Sequence, residues 1–172
     1  LEIAIVDRHA AIVHWSEIEN APTSYSRDQN DPMAFYANFR HHFGLSRIGV
    51  HHQRLPAGMR LSYPHAESAE EEFVYVVEGT PDVWLDGTLH RLRPGDGVGF
   101  PAGVGLAHTF INNTSGDVRL LVVGETTKPE NKVFYPLNPE LRDQVGYWWE
   151  DAPQRPLGPH NGLPDYKGSK SE

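Results

Sequence analysis

Between Ile48 and Val123 the chain is divided by glycine, proline and Asp-Gly turns into short segments. None of them reads as the long helix that a parallel-sheet crossover requires. The longest interval ends in Glu72-Phe-Val-Tyr-Val-Val77, which is β-branched and aromatic throughout. Strands are predicted at Ile48–Leu55, Glu72–Val77, Asp82–Leu85, Thr88–Leu92, Ala107–Ile111 and Val118–Val123. Asp86-Gly87 between two of them is the preferred two-residue hairpin turn. Many short strands at turn-punctuated spacing imply an all-β sandwich or barrel. Gly (16) and Pro (14) hold the hydrophobic fraction to 38%, which agrees with a turn-rich β-protein. Both faces of Glu72–Val77 are apolar, so burial on both sides is expected.

The flanks read differently. Residues 1–47 form an arm without strong periodicity. Ser16-Glu-Ile-Glu19 has the form of a capping box, and Asp31-Pro32 opens a segment to Phe39 as cap and first helical residue, so short helices are expected at both. Residues 48–124 form the core. Residues 125–172 are a tail holding half of the 14 prolines. In it Asn138-Pro139 opens a helix and Gly146 stops it. Tyr147-Trp148-Trp149 is too much aromatic surface to leave in water, so the tail is expected to lie across the core or a partner subunit. The whole is one domain.

A net charge of −8 argues against a nucleic-acid partner and against anionic membranes. No apolar run is long enough to span a bilayer. The absence of cysteine removes disulfides, thiolate ligands and thiol nucleophiles, and a cytoplasmic protein is the simplest reading.

Chemistry concentrates in two stretches, Gly58–Gly79 and Gly95–Asn112. Between them they carry two imidazoles and several carboxylates, at His65, Glu67, Glu72 and His108, a plausible set for a divalent ion. His65 and Glu67 are two apart and share a strand face. Glu72 lies at an odd offset from them, so a turn at Ser68–Glu71 must intervene. Glu71 is the reserve ligand if the register slips by one. His41-His42 and His51-His52 are adjacent pairs, of which at most one member each can face a pocket. By parity Met59, Leu61 and Tyr63 share a face with His65, Val74 and Val76 with Glu72, and Phe110 and Asn112 with His108. These form an apolar cup suited to a small organic substrate. His52, Arg54 and Arg60 stand at its rim, and Asp96 or Asn112 behind the ligands.

The same residues resemble the paired motifs of the cupin superfamily. Gly58, His65, Glu72 and Gly79 fit the first motif, and Gly95, Pro101, Gly103, His108 and Asn112 the second. Glu67 stands where the family has a second histidine, and two extra residues precede His108. The resemblance implies a cupin-type double-stranded β-helix, a jelly-roll-like barrel, with short N-terminal helical segments and a proline-rich C-terminal tail. It implies metal ligation by His65, Glu67, Glu72 and His108. A carboxylate in place of imidazole makes the ion a weaker Lewis acid, and nothing in the N/O set chooses among Zn, Fe, Mn, Ni and Co. The expected function is a small-molecule metalloenzyme of oxygenase, isomerase or lyase type, acting as a homodimer, with Glu72 or Tyr63 moving protons. One alternative is a metal-independent sugar or sugar-phosphate isomerase or epimerase in which the same four residues do acid/base work. A second is a non-catalytic module that binds a small ligand.

Overall fold

In the computed structural model, which describes residues 8–20 and 33–166, Asp86 and Gly87 both take positive φ, 43° and 88°. That backbone suits the tight hairpin expected there. The turn joins β6 (Asp82–Leu85) to β7 (Thr88–Arg91). On its other side β6 pairs with β9 (His108–Ile111), giving a three-stranded antiparallel sheet.

A six-stranded antiparallel sheet faces it. Its order is β1 (Glu19–Asn20), β2 (Phe35–Asn38), β3 (Ile48–Leu55), β10 (Val118–Glu125), β5 (Glu72–Glu78) and β8 (Gly97–Phe100). A third, two-stranded sheet pairs β4 (Ala66–Glu67) with β11 (Val133–Phe134). The main core lies between the larger sheets: Leu55, Val74, Val76, Val118, Leu120 and Val122 from one, Val83 and Phe110 from the other. Alternation along each strand sends one parity toward this core, while on β6 and β9 the other parity is also covered.

The expected closed barrel is not formed. Among the described residues there are three separate antiparallel sheets, and none closes on itself. The reason lies in residues 56–71, which would have to carry the pairing around. Pro56, Gly58 and Pro64 interrupt it, and residues 61–64 are bends. It reaches the three-stranded sheet only through isolated bridges, Arg60 to Ile111 and His65 to His108. Closure needs a continuous stagger of pairs around the wall.

The helical expectations also change. Asp31 and Pro32 lie outside the described residues, and Phe35–Asn38 is a strand. The one α-helix among the described residues, α1, is the five-residue Phe39–Phe43. Asn38 caps it by accepting a hydrogen bond from the His41 amide at 2.8 Å. Near Ser16 and after Asn138 the turns are 3₁₀, at Trp15–Glu17 and Pro139–Asp143.

β5 is buried on one face only. Val74 and Val76 are fully buried, while Phe73, Tyr75 and Val77 are 40–47% exposed. The tail lies across the outer face of the three-stranded sheet of its own chain. There Trp84, Ala107 and Ile111 meet Trp149 and Ala152 in a second core. The Trp84 indole donates to the His160 carbonyl at 2.8 Å. Gly158 passes so close to Gly87 that a side chain on either would overlap the other's backbone. This contact requires glycine at both positions.

Candidate active site

His65 and His108 form one antiparallel backbone pair, the amide of each donating to the carbonyl of the other at 3.1 and 2.9 Å. Directly opposed residues project to the same side, and the two imidazole centroids are 4.9 Å apart. Each ring uses Nδ1–H to reach a carbonyl two residues back, His65 to Tyr63 at 2.8 Å and His108 to Leu106 at 3.2 Å. With Nδ1 committed, each ring carries its free chemistry at Nε2. The two extra residues before His108 are absorbed in the loop at Gly103–Ala107. Gly103 and Gly105 there have φ of 77° and 69°. Pro153 of the tail lies against Gly105, and His108 keeps its place opposite His65.

Glu72 opens β5 on the parity of Val74 and Val76, and therefore faces inward. It stands opposite Phe100 in the register. Its Oε1 is 3.4 Å from Nε2 of His108. That nitrogen is buried and makes no hydrogen bond of good geometry. Phe100 stacks flat on the His108 ring at 3.4 Å and fixes its plane. Glu67 reaches the same place from β4. The turn expected at Ser68–Glu71 is present as a bend, and it brings Glu67, Glu70, Glu72 and His108 around one small cavity of about 10 Å³. That is room for about one water molecule.

The electrostatics separate the carboxyls. Burial pushes Glu67 up to about 7, and the charges of Glu70 and Glu72 add to it. Burial also works to raise Glu72, but His108, and then His65 and His51, outweigh it and hold Glu72 below its ordinary value. Burial, with the charge of His108, lowers His65 to about 4, so its imidazole is neutral near pH 7.

The four residues expected as ligands are thus near neighbours, but they are not a metal cradle. Among the described residues no group of three or more His, Asp or Glu is arranged to hold a metal ion. The expected zinc-type centre, with its divalent cofactor, is corrected accordingly. A chelate needs ionised donors converging on one point. Here burial raises the Glu67 carboxyl to about 7, which disfavours an ionised donor at that position.

The remaining expected site residues are dispersed. Val74, Val76 and Phe110 are fully buried in the main core, and Leu61 packs against it. The Met59 carbonyl accepts from the Asn112 amide. Asn112 spends its side chain on the Leu55 and Gly116 carbonyls and on Thr114, which knits a turn. Tyr63 has the Arg60 guanidinium over its ring at 4.8 Å, and Arg60 donates to the Gly162 carbonyl. His52 and Arg54 lie on the outer face of β3. His52 stacks on Trp15 at 4.5 Å, and Arg54 pairs with Glu19 and Asp117. Asp96 accepts from the Arg93 amide within its turn.

Two neighbours of the site differ from expectation: His51 stands there in place of His52, and Tyr135 was not anticipated. His51 shares the inward parity of Leu55, and its charge and that of Glu72 act on each other. Counting back from Leu55 was the signal for it. Tyr135, from just past β11, places its ring 6.1 Å from His65, and nothing in the tail's sequence marked it.

Comparison with known proteins agrees with this arrangement. A family model described as a cupin domain matches residues 51–124. No curated protein sequence matches the chain. Among solved structures, one is a sugar phosphate isomerase from a cupin superfamily, from Silicibacter pomeroyi. It is 33% identical, with 68% of this chain and 75% of that one covered and a TM-score of 0.63. A putative sugar phosphate isomerase from Acidithiobacillus ferrooxidans is 26% identical over 74% of this chain and 81% of its own, at a TM-score of 0.59. A polyketide cyclase from Streptomyces resistomycificus is 20% identical over 80% and 94%, at 0.58, a likeness of fold.

Proposed function

This chain belongs to the cupin superfamily, and from that premise we propose that it is a metal-independent isomerase of sugars or sugar phosphates. The observation that carries the reading is the pair of carboxyls on one small cavity, Glu67 raised and Glu72 lowered. Two titratable groups pushed in opposite directions are what an acid and a base at one site require. The names of the two structures above 25% identity support the same reaction class.

The proposed chemistry is proton transfer next to a carbonyl. Glu72, ionised, takes the proton from C2 of an open-chain aldose. The C–H electron pair becomes the C1–C2 double bond, and the carbonyl oxygen takes a proton from neutral Glu67. The resulting enediol collapses to the ketose when Glu72 returns its proton to C1 and the C2 hydroxyl proton passes to Glu67. His108 stands beside the Glu72 carboxylate, its Nε2 3.4 Å from Oε1. The bare Nε2 of His65 accepts a hydrogen bond from a substrate hydroxyl. Each step is within the 10²–10⁴-fold range that a positioned acid or base supplies.

The test follows deuterium. Wild-type protein with a chelator present is incubated in D₂O with matched aldose–ketose pairs, phosphorylated and free, and C2 is followed by NMR. Exchange and interconversion are expected, with loss of about 10²–10⁴-fold in Glu72→Gln. Absence of exchange on every pair, or exchange that the chelator abolishes, refutes the reading.

A homodimer and a cytoplasmic setting belong to the same proposal. Ile48, Phe73 and Val123 line an open hollow of about 410 Å³ on the outer face of the large sheet, which a second copy would cover. A chain without cysteine has no disulfide to lose in a reducing compartment. No helix among the described residues is long and apolar enough to cross a membrane.

A further inference from the structure

We infer that Arg40 is the anchor for a phosphate group on the substrate, and so determines which sugars the site accepts; the inference rests on the isomerase reading. Most arginines among the described residues already face a carboxylate: Arg8, Arg54, Arg91, Arg93, Arg119, Arg142 and Arg155. Arg40 does not. Its side chain makes no hydrogen bond or ion pair with a described residue, and its Nε is buried without a partner. Arg47 is also unpaired, but it stands in an exposed turn where water solvates it. A half-buried guanidinium without a counter-charge is costly, and it stands out in a chain with 23 acidic side chains against 15 basic ones.

Its position gives the vacancy a meaning. Asn38, two residues before Arg40, stands opposite His51 in the β2–β3 register. The charges of Arg40 and of Glu72 both act on His51, so both stand near that imidazole. The inward wall beside them carries Tyr36 and Gln53, opposite each other in the same register. The Tyr36 ring lies 6.3 Å from His51. Neither the Tyr36 hydroxyl nor the Gln53 amide hydrogen-bonds to a described residue. Polar side chains thus stand between the base and α1, which carries a guanidinium unpaired among the described residues. This arrangement suits a polyhydroxylated chain whose reacting end meets Glu72 and whose far end carries a dianion. The planar guanidinium fork matches a phosphate.

The experiment is isothermal titration of inorganic phosphate into the full chain, wild type against Arg40→Gln and Arg40→Lys, with Arg47→Gln as control and acetate as the competing anion. Saturable 1:1 binding is expected in wild type and in Arg47→Gln. Arg40→Gln is expected to weaken it about 10- to 100-fold, and Arg40→Lys less. Three results overturn the anchor: no saturable phosphate binding in wild type, unchanged binding in Arg40→Gln, or acetate binding as tightly as phosphate. Thermal unfolding of each variant shows whether loss of binding reflects loss of fold, and Arg40→Lys keeps the test open if Arg40→Gln is unstable. The titration needs no turnover. Wild type that exchanges deuterium into free sugars while binding no phosphate overturns the anchor and leaves the isomerase. Phosphate bound through Arg40 in a protein whose Glu72→Gln variant loses nothing upholds the anchor and refutes the isomerase.

Discussion

Glu67→Gln should stabilise the protein at alkaline pH and not at acid pH. Burial raises the Glu67 carboxyl from 4.5 to about 7. Between those values the folded chain keeps a proton that the unfolded chain has lost, so stability falls as pH rises through the interval and levels off above about 7. At about 1.4 kcal/mol per tenfold in proton affinity, the full cost is about 3.5 kcal/mol, an upper figure because solvent reaches part of the side chain. Glutamine keeps the shape and removes the charge. His65 works in the opposite sense. Its lowered value of about 4 means the fold excludes a proton that the unfolded chain accepts, so its contribution rises with pH up to about 6.5. The wild-type curve alone mixes the two, and the difference between wild type and Glu67→Gln isolates Glu67. Urea unfolding at several pH values between 4 and 8.5 should show that difference growing by about 2–3 kcal/mol in favour of the variant. In thermal melts this corresponds to several degrees for a chain of this length. A difference that stays flat across the range, or grows toward acid pH, would refute the claim that burial holds this proton.

The same group sets an activity limb. If neutral Glu67 is the acid, kcat should fall tenfold per pH unit above about 7, and a rate flat to pH 9 would remove Glu67 from that role. Trp84→Ala should cost about 3–5 kcal/mol in urea unfolding, since the ring is fully buried between sheet and tail. Its limited proteolysis should begin in residues 145–165. Phe73→Glu places a charge on the exposed apolar face and should shift a dimer to monomer in analytical ultracentrifugation, with little change in monomer stability.

The sequence by itself determined what depends on near neighbours along the chain. Strand parity, the Asp86-Gly87 turn and the burial of Val74 and Val76 follow from local sterics and alternation. So does the need for a turn between Glu67 and Glu72. β8 was not among the predicted strands because two of its four residues, Gly97 and Gly99, are glycine, which is depleted in strands, although the Phe73 ring lies over Gly97. The closed barrel was expected because strand pattern records which segments extend, and not whether hydrogen-bond pairing continues across the breaks at residues 56–71. The tertiary structure alone decided the relations between distant segments. It placed His65 opposite His108, laid Phe100 on the His108 ring, and turned His51 rather than His52 toward Glu72. It also fixed the surroundings of the two carboxyls on the shared cavity. How far Glu67 and Glu72 depart from ordinary carboxyls depends on burial and on charges brought from other strands, and neither is encoded in the spacing of the residues that carry them.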